Sequence, residues 1–271
     1  MFTPLALAVA LALAPAQGEG TLELKNVRNT YGVLGPTRTD AKLLPGDVLF
    51  VAYDIEGVTI DKAGKVQYSM SMEVTADVDK KSIFKQDPAE KVDFVPLGGT
   101  RLPARAFITL GLDQPPGAYT LKLTVVDRAT KTTKNLDHSF EVLPKAFGIV
   151  AVYGSVDERG SIPAPTTGVI GQSVFIQFAV VGFERDAKTK QPDLVFEMAP
   201  HDESGKPTLA TPSVHEAKAG VDDKDAVYQV RFLLPMTRAG KYTIKLSAED
   251  RISKKKSTFD LPVVVLPASE K

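Results

Sequence analysis

The chain has 271 residues, and its 33 basic and 33 acidic side chains give a formal net charge of zero. A protein built mainly to coat nucleic acid would be globally basic, so this balance argues against that class. The chain contains no cysteine, which excludes disulfide bonds, a thiol nucleophile and lipid attachment through a cysteine. Two domains of about 120 residues each can bury enough apolar surface without such crosslinks.

The first residues predict export. An apolar run extends from Leu5 to Ala14, and Ala14-Pro15-Ala16 supplies the small residues of a cleavage site. This pattern predicts a signal peptide over residues 1–16, although no Lys or Arg precedes the run. The run is too short for a transmembrane helix, which needs about 20 apolar residues. We therefore expect an extracytoplasmic protein, periplasmic or secreted, with no transmembrane segment.

The next elements are strands that the chain contains twice. Residues 22–27 begin the first strand, residues 35–46 form a Pro- and Gly-containing segment that crosses between sheets, and residues 49–55 alternate as a second strand. All three elements return 125 residues later (147 − 22 and 171 − 46). Alternate residues of the second strand point to one face. The predicted core residues on that strand and its repeat are Leu49, Val51, Tyr53, Ile55, Val174, Ile176, Phe178 and Val180.

The middle of each repeat is where the two copies differ. Strands at 66–74 and 193–200 follow turn-rich, basic loops, and strands at 104–112 and 226–234 come later. Between them, the two segments have unrelated sequences rich in turn residues and differ in length. We expect exposed connections here, and exposed connections are where specific binding usually resides. The divergent segments are residues 83–103 and 201–225.

Each repeat ends in the same block without a gap. GAYTLKLTVVDRATKTTKNLDHSFEVLP, from Gly117 to Pro144, returns as GKYTIKLSAEDRISKKKSTFDLPVVVLP from Gly240 to Pro267. Its alternation predicts two strands joined by an Asp-Arg turn. We expect Asp127 and Asp250 to bond the backbone of that turn. The Gly-x-Tyr entry resembles the tyrosine corner of immunoglobulin-like sandwiches, in which a Tyr hydroxyl returns to nearby backbone, so Tyr119 and Tyr242 would be the corner residues.

The chain after the signal peptide therefore resembles tandem bacterial immunoglobulin-like domains of exported proteins. The resemblance is carried by G-x-Y-T-x-K-L, the D-R turn and the repeated Pro/Gly-bounded strand. It implies an all-β fold of two tandem immunoglobulin-like antiparallel β-sandwich domains, at residues 21–144 and 147–268. It also implies a non-catalytic structural, adhesive or protein-interaction role in the bacterial cell envelope, and no catalytic residues carry over from it.

Residues that could carry chemistry are sparse. The three histidines, His138, His201 and His215, lack ligand spacing, and His201-Asp202-Glu203 lies in a turn-like sequence where polar residues are expected. Two acidic groups offer the oxygens that calcium prefers, but the 12-residue loop pattern is absent, which favours solvated turns. These groups are Asp77-Asp79 and Asp222-Asp223-Asp225. We expect no catalytic residue, no transition metal and no cofactor, and we leave calcium open.

One surface is a candidate contact site. Two loops of the second repeat should meet at one end of its sandwich and carry seven basic residues. These are Arg185, Lys188, Lys190, Arg251, Lys254, Lys255 and Lys256. Acidic residues, including Glu216 and Asp222, should collect instead in the divergent segment. The basic end would face an anionic surface polymer, a phospholipid head group or an acidic envelope protein; the alternative is that these lysines only keep the loops soluble.

Three other functions remain open. A carbohydrate-binding module shares the predicted fold but usually needs exposed aromatic platforms, and this chain has no Trp. A periplasmic pilus-type chaperone also has two such domains, but they are dissimilar and they take up a donated strand. An enzyme would need a convergent set of nucleophile, base or metal ligands, which the sequence does not offer.

Overall fold

The computed structural model describes residues 21–268, and every regular element in that range is a β-strand. The predicted all-β class is therefore confirmed. Across the described residues, no helix has the length and apolar character needed to cross a membrane. The predicted signal peptide, residues 1–16, lies outside the described residues.

The first sandwich consists of eight strands in two facing sheets. One sheet has the order β1-β3-β6 and the other β2-β8-β7-β4-β5, with all neighbours antiparallel except β2 and β8. The chain thus changes sheets between β1 and β2, as the crossing segment predicts. The strands are β1 (Glu23–Thr30), β2 (Lys42–Leu43), β3 (Val48–Glu56), β4 (Lys65–Ala76), β5 (Ser82–Phe94), β6 (Arg101–Thr109), β7 (Gly117–Asp127) and β8 (Thr133–Val142).

The second sandwich repeats this order with nine strands. Its sheets are β10-β9-β12-β15 and β11-β17-β16-β13-β14, and β11 is again parallel to the last strand, β17. The strands are β9 (Gly148–Ser155), β10 (Pro163–Ala164), β11 (Thr167–Val169), β12 (Ser173–Val181), β13 (Leu194–Asp202), β14 (Ser213–Ala217), β15 (Val227–Pro235), β16 (Gly240–Asp250) and β17 (Lys255–Leu266).

Each sandwich has its own apolar core between its two sheets. All eight residues predicted on β3 and β12 are buried. Those of β3 belong to a cluster that runs from Leu22 to Val142, and those of β12 to a cluster that runs from Phe147 to Val265. Alternation along these two strands was therefore sufficient to identify the inward face.

The divergent segments were wrongly predicted as connections, because each contains an edge strand. Residues 82–94 form β5, the longest strand of the first sandwich at 13 residues, and Ser213–Ala217 forms the short β14. The alternation of β5 is weak because most of its side chains are exposed. Pro88 and five charged residues in this strand suit an edge that must not pair with another chain.

The tyrosine corner is present in both copies, as predicted. Tyr119 Oη donates a hydrogen bond to the Pro115 carbonyl at 2.8 Å, and Tyr242 Oη donates to the Arg238 carbonyl at 2.9 Å. In each case the acceptor lies four residues upstream, so the bond closes the loop that enters the strand. The two copies differ in burial, since Tyr119 is buried and Tyr242 is partly exposed.

The repeated Asp residue ties two loops together. One Asp127 oxygen accepts from the Ala129 amide at 2.8 Å in its own turn, and the other accepts from the amide and hydroxyl of Thr59 at 2.8 Å. Asp250 does the same with the Ile252 amide at 3.0 Å and the Glu184 amide at 2.9 Å. Burial acts to raise the pKa of Asp127, but these hydrogen bonds outweigh it and hold the pKa below its ordinary value.

The two sandwiches contact each other directly. Asp47, which directly precedes β3, accepts hydrogen bonds from the Arg38 guanidinium and from the Ala151 amide, both at 2.8 Å. Leu44 packs on an apolar patch of the second sandwich formed by Val150, Ala179 and Val181. A T-shaped aromatic pair, Tyr31 and Phe259, adds a further contact with ring centroids 4.7 Å apart.

A β-bulge makes the Ala151 amide available to Asp47. The pairing of β9 with β12 shifts register here, and Ala151 has a φ of 51°. The same bulge occurs in β1 at Asn26, with a φ of 52° and an offset of 125 residues (151 − 26). In the first copy the Asn26 side chain instead donates to Asp54 at 2.7 Å. The bulge is thus common to both copies, but only the second one takes part in the junction.

Candidate functional site

Five of the predicted basic residues lie on two loops that the structure brings together, and Lys255 and Lys256 begin β17 beside them. The hydrogen bond from the Glu184 amide to Asp250 joins the two loops. This end of the second sandwich adjoins the linker, because Gly182 packs against the backbone of Ala146. The basic loops are therefore next to the junction rather than at a distal end of the molecule.

Several of the seven basic side chains are already engaged. Arg185 donates to the backbone carbonyls of Lys190, Asp222 and Asp225, which holds the divergent segment against the loop. Arg251 lies 3.0 Å from Glu216, and Arg128 of the first sandwich likewise lies 2.5 Å from Glu90. In both copies the Arg of the Asp-Arg pair thus binds a carboxylate on the neighbouring edge strand.

The remaining lysines are only partly neutralised. Lys255 lies 3.8 Å from Glu184 and Lys256 lies 3.0 Å from Glu249. Lys188, Lys190 and Lys254 are exposed and, within residues 21–268, have no carboxylate oxygen within 4.0 Å. Acids and bases therefore occupy the same end of the sandwich, and the separation of charges expected from the sequence is smaller in three dimensions. Contact with an anionic partner through these residues stays a prediction.

The histidines and acidic turns do not converge. His138 contacts Asn29 at 2.7 Å, and burial lowers the pKa of this histidine. His215 lies beside the stacked pair Phe196 and Tyr228, with ring centroids 5.9 and 6.2 Å away. Asp202 accepts from amides of its own turn. In the part of the chain that the structure describes, no group of three His, Asp or Glu residues is placed to hold a metal ion.

An apolar cleft opens at the other end of the second sandwich. Its volume is about 430 Å³, which lies within the range of small-molecule pockets. Side chains from both sheets form its floor, and Leu209 of the divergent segment forms part of its wall with half of its surface exposed. The main apolar lining residues are Met198, Leu234, Met236, Ile244, Val263 and Val265.

One difference between the copies lies directly at this open space. Tyr119 is paired across the strands with Phe140, and the rings stack with centroids 5.6 Å apart. Tyr242 is paired in the same register with Val263. A valine cannot cover the tyrosine ring as a phenylalanine does, so Tyr242 stays partly exposed at the cleft. The sequence analysis missed this site, although the aligned block shows the exchange at an offset of 123 residues (263 − 140).

The mouth of the cleft carries the cation Arg238, which interacts electrostatically with Asp202 without forming an ion pair with it. Arg238 donates from Nε to Tyr242 Oη at 3.1 Å, and its guanidinium lies 5.9 Å from the centre of the Tyr242 ring. No carboxylate among residues 21–268 lies within 4.0 Å of it. Lys241 nearby is instead paired with Glu203 at 3.1 Å. The first sandwich has Pro115 at the position of Arg238, so it has no cation there.

The first sandwich exposes aromatic surface elsewhere. Phe50 and Phe107 lie opposite each other on β3 and β6, with ring centroids 5.7 Å apart, and Phe107 is more than half exposed. A recess of about 480 Å³ lies between β5 and β6 and is lined in part by Met72, Phe84 and Phe107. The two ring planes are tilted by 30° to each other, and the pair lies on the sheet face opposite the core.

These features define an all-β protein of two facing-sheet sandwiches, one of which has an apolar cleft. No protein-family model and no curated protein matches the chain. Among solved structures it is similar to the C-terminal domain of the Streptococcus pyogenes antigen I/II-family protein AspA, at 11% identity. The match covers 90% of this chain and 100% of that chain with a TM-score of 0.31. Because this TM-score is low, we assign the architecture from the observed sheets and not from this similarity.

Proposed function

We propose that this protein is an exported, non-catalytic binding protein made of two tandem immunoglobulin-like domains, residues 21–144 and 147–268. Its role is structural, adhesive or one of protein interaction in a bacterial cell envelope. The strand order common to both sandwiches and the two tyrosine corners support the domain type. The apolar run at Leu5–Ala14 supports export.

The observation that carries this proposal is that buried aspartates hold the loops and the contact between the two sandwiches in place. Asp127 and Asp250 join loops, and Asp47 joins the two sandwiches, each through hydrogen bonds of 2.8 to 2.9 Å. Acid groups held in this way stabilise a fixed arrangement, and none of them faces the apolar cleft. A fixed pair of sandwiches suits a protein that presents surfaces to a partner.

A crosslinking pull-down from envelope fractions tests the proposal. The tagged chain should recover a specific envelope component, and its Asp47→Ala variant, with a weakened junction, should recover less. A control variant, Asp40→Ala, changes an exposed carboxylate beside the same Arg38 and should recover as much as the wild type. Recovery of no component above an untagged control, or the appearance of substrate turnover, would contradict the proposal.

Carbohydrate binding is the second candidate, and the Phe50–Phe107 pair favours it. Exposed aromatic rings are the platform that sugar rings use, and this tilted pair, in which Phe107 is 57% exposed, lies on a sheet face. A glycan array probed with the wild type and with Phe107→Ala would separate the candidates. Glycan signals that vanish in the variant would favour this second function, and an array without signals would leave the protein-interaction role.

A further inference from the structure

The cleft of the second sandwich is a built feature rather than a packing defect. The first sandwich pairs its last two strands in the same register but places Phe140 against Tyr119. The second sandwich has Val263 and a partly exposed Tyr242 there. Met198, Met236 and Ile244, all buried, are among the other lining residues. Methionine side chains are flexible and adapt to ligands of varied shape.

The polarity of the cleft restricts what can occupy it. The floor is apolar, which favours a hydrocarbon group. The charged side chain on the lining is Arg238 at the mouth; the Asp202 carboxylate acts on it from a distance, and no carboxylate of the described chain lies within 4.0 Å of it. A guanidinium pairs best with a planar anion such as a carboxylate. An apolar chain with a carboxylate head therefore matches both parts of the site.

We propose that the second sandwich binds a straight-chain fatty acid, with the hydrocarbon in the cleft beside Val263 and the carboxylate at Arg238. The inference deepens the proposed binding role and rests on it. The divergent segment contributes Leu209 to the wall, which agrees with the expectation that binding resides where the copies differ.

Isothermal titration calorimetry of the full chain with sodium octanoate, decanoate and dodecanoate, each below its micelle concentration, tests the proposal. Each buried methylene should tighten binding about fourfold until the cleft is full. Dodecanol should bind more weakly than dodecanoate because it lacks the anion. Absence of binding by all three carboxylates, or affinity that does not depend on chain length, would overturn the proposal.

Two variants separate the charged and apolar parts of the site. Arg238→Gln should weaken dodecanoate about fivefold and leave dodecanol unchanged. Lys241→Gln is the matched control, since Lys241 is paired with Glu203, and it should bind dodecanoate like the wild type. Equal losses in the two variants would show a general effect of surface charge and would contradict the assignment of Arg238.

Val263→Phe is the test that the chain itself suggests, because it copies the packing of the first sandwich. It should abolish binding of dodecanoate and dodecanol while the circular dichroism spectrum stays that of the wild type. Leu209→Asp gives a second test at an exposed site, where folding is tolerant, and should also weaken dodecanoate. Undiminished binding by either variant would overturn the proposal.

The result also separates this inference from the broader function. A recovered envelope partner without dodecanoate binding would overturn the fatty-acid site and leave the proposed function standing. Binding to anionic phospholipid vesicles without binding to monomeric dodecanoate would likewise overturn it.

Discussion

Replacing Asp47 by Ala should destabilise the protein through the contact between the two sandwiches. The Asp47 side chain is 8% exposed and that of Arg38 is 14% exposed, so their ion pair is largely removed from water. The substitution removes the bond to Arg38 and leaves the Ala151 and Val48 amides, each 2.8 Å from Asp47 Oδ1, without that acceptor. The contact between the two sandwiches thereby loses the hydrogen bond from the Ala151 amide to Asp47.

The expected magnitude follows from the partners that remain. Removing one member of a buried ion pair costs about 3–5 kcal/mol. Arg38 keeps Asp40 at 3.1 Å and the Lys42 carbonyl, so we expect the lower value, about 3 kcal/mol. With a urea slope of about 2–3 kcal/mol/M, the unfolding midpoint should fall by about 1 M.

Urea unfolding at pH 7, followed by circular dichroism, measures this effect. Asp40→Ala is the control, because Asp40 is half exposed and bonds the same guanidinium; it should cost less than about 1 kcal/mol. If both variants shift the midpoint equally, Asp47 does not stabilise the junction in the way described. An unchanged midpoint in Asp47→Ala would refute the reasoning outright.

Three further predictions concern the loops. Asp127→Asn should cost about 2 kcal/mol by urea unfolding, since an amide group meets donors where a carboxylate oxygen accepted; an equal midpoint would count against the tie to Thr59. Because the folded state lowers the pKa of Asp127, its contribution is present above the ordinary value of 3.8 and is lost as pH falls through the folded pKa, so wild type and variant should converge in acid. Tyr119→Phe should cost about 1 kcal/mol and Tyr242→Phe less, because water can replace the bond of the exposed hydroxyl; calorimetric melting of the two variants gives the order. Lys254→Glu/Lys255→Glu/Lys256→Glu should release the protein from envelope fractions, and an unchanged distribution would discard the basic contact.

The repeated block could be read from the sequence because its pattern is local. The alternation from Tyr119 to Val125 sets one inward face, and an Asp that ends a strand has few ways to satisfy its carboxylate other than in its own turn. The hydrogen bond between Thr59 and Asp127 was not predictable, since 68 residues separate the two. Contacts between distant segments depend on how loops meet after folding.

Edge strands and the cleft were harder to predict for a different reason. β5 has one strand neighbour and little burial, so its sequence carries charges and Pro88 in place of the alternation that marks a central strand. The cleft depends on Val263 being smaller than Phe140. That exchange is visible in the aligned copies, but only the stacking of Phe140 on Tyr119 shows what the larger side chain fills.

The Asp47 junction also gives the pair of sandwiches a direction. Gly46 and Gly171 have nearly the same φ, 91° and 94°, so Asp47 corresponds to Gln172 in the second copy. Gln172 is exposed, and its side-chain oxygen accepts a hydrogen bond from the Val169 amide at 2.9 Å. A third copy added after the second would therefore meet a neutral amide where the first junction has an anion. Restoring an acid at position 172, with a basic residue at Pro163 to match Arg38, would be the starting point for engineering longer stiff arrays from this unit.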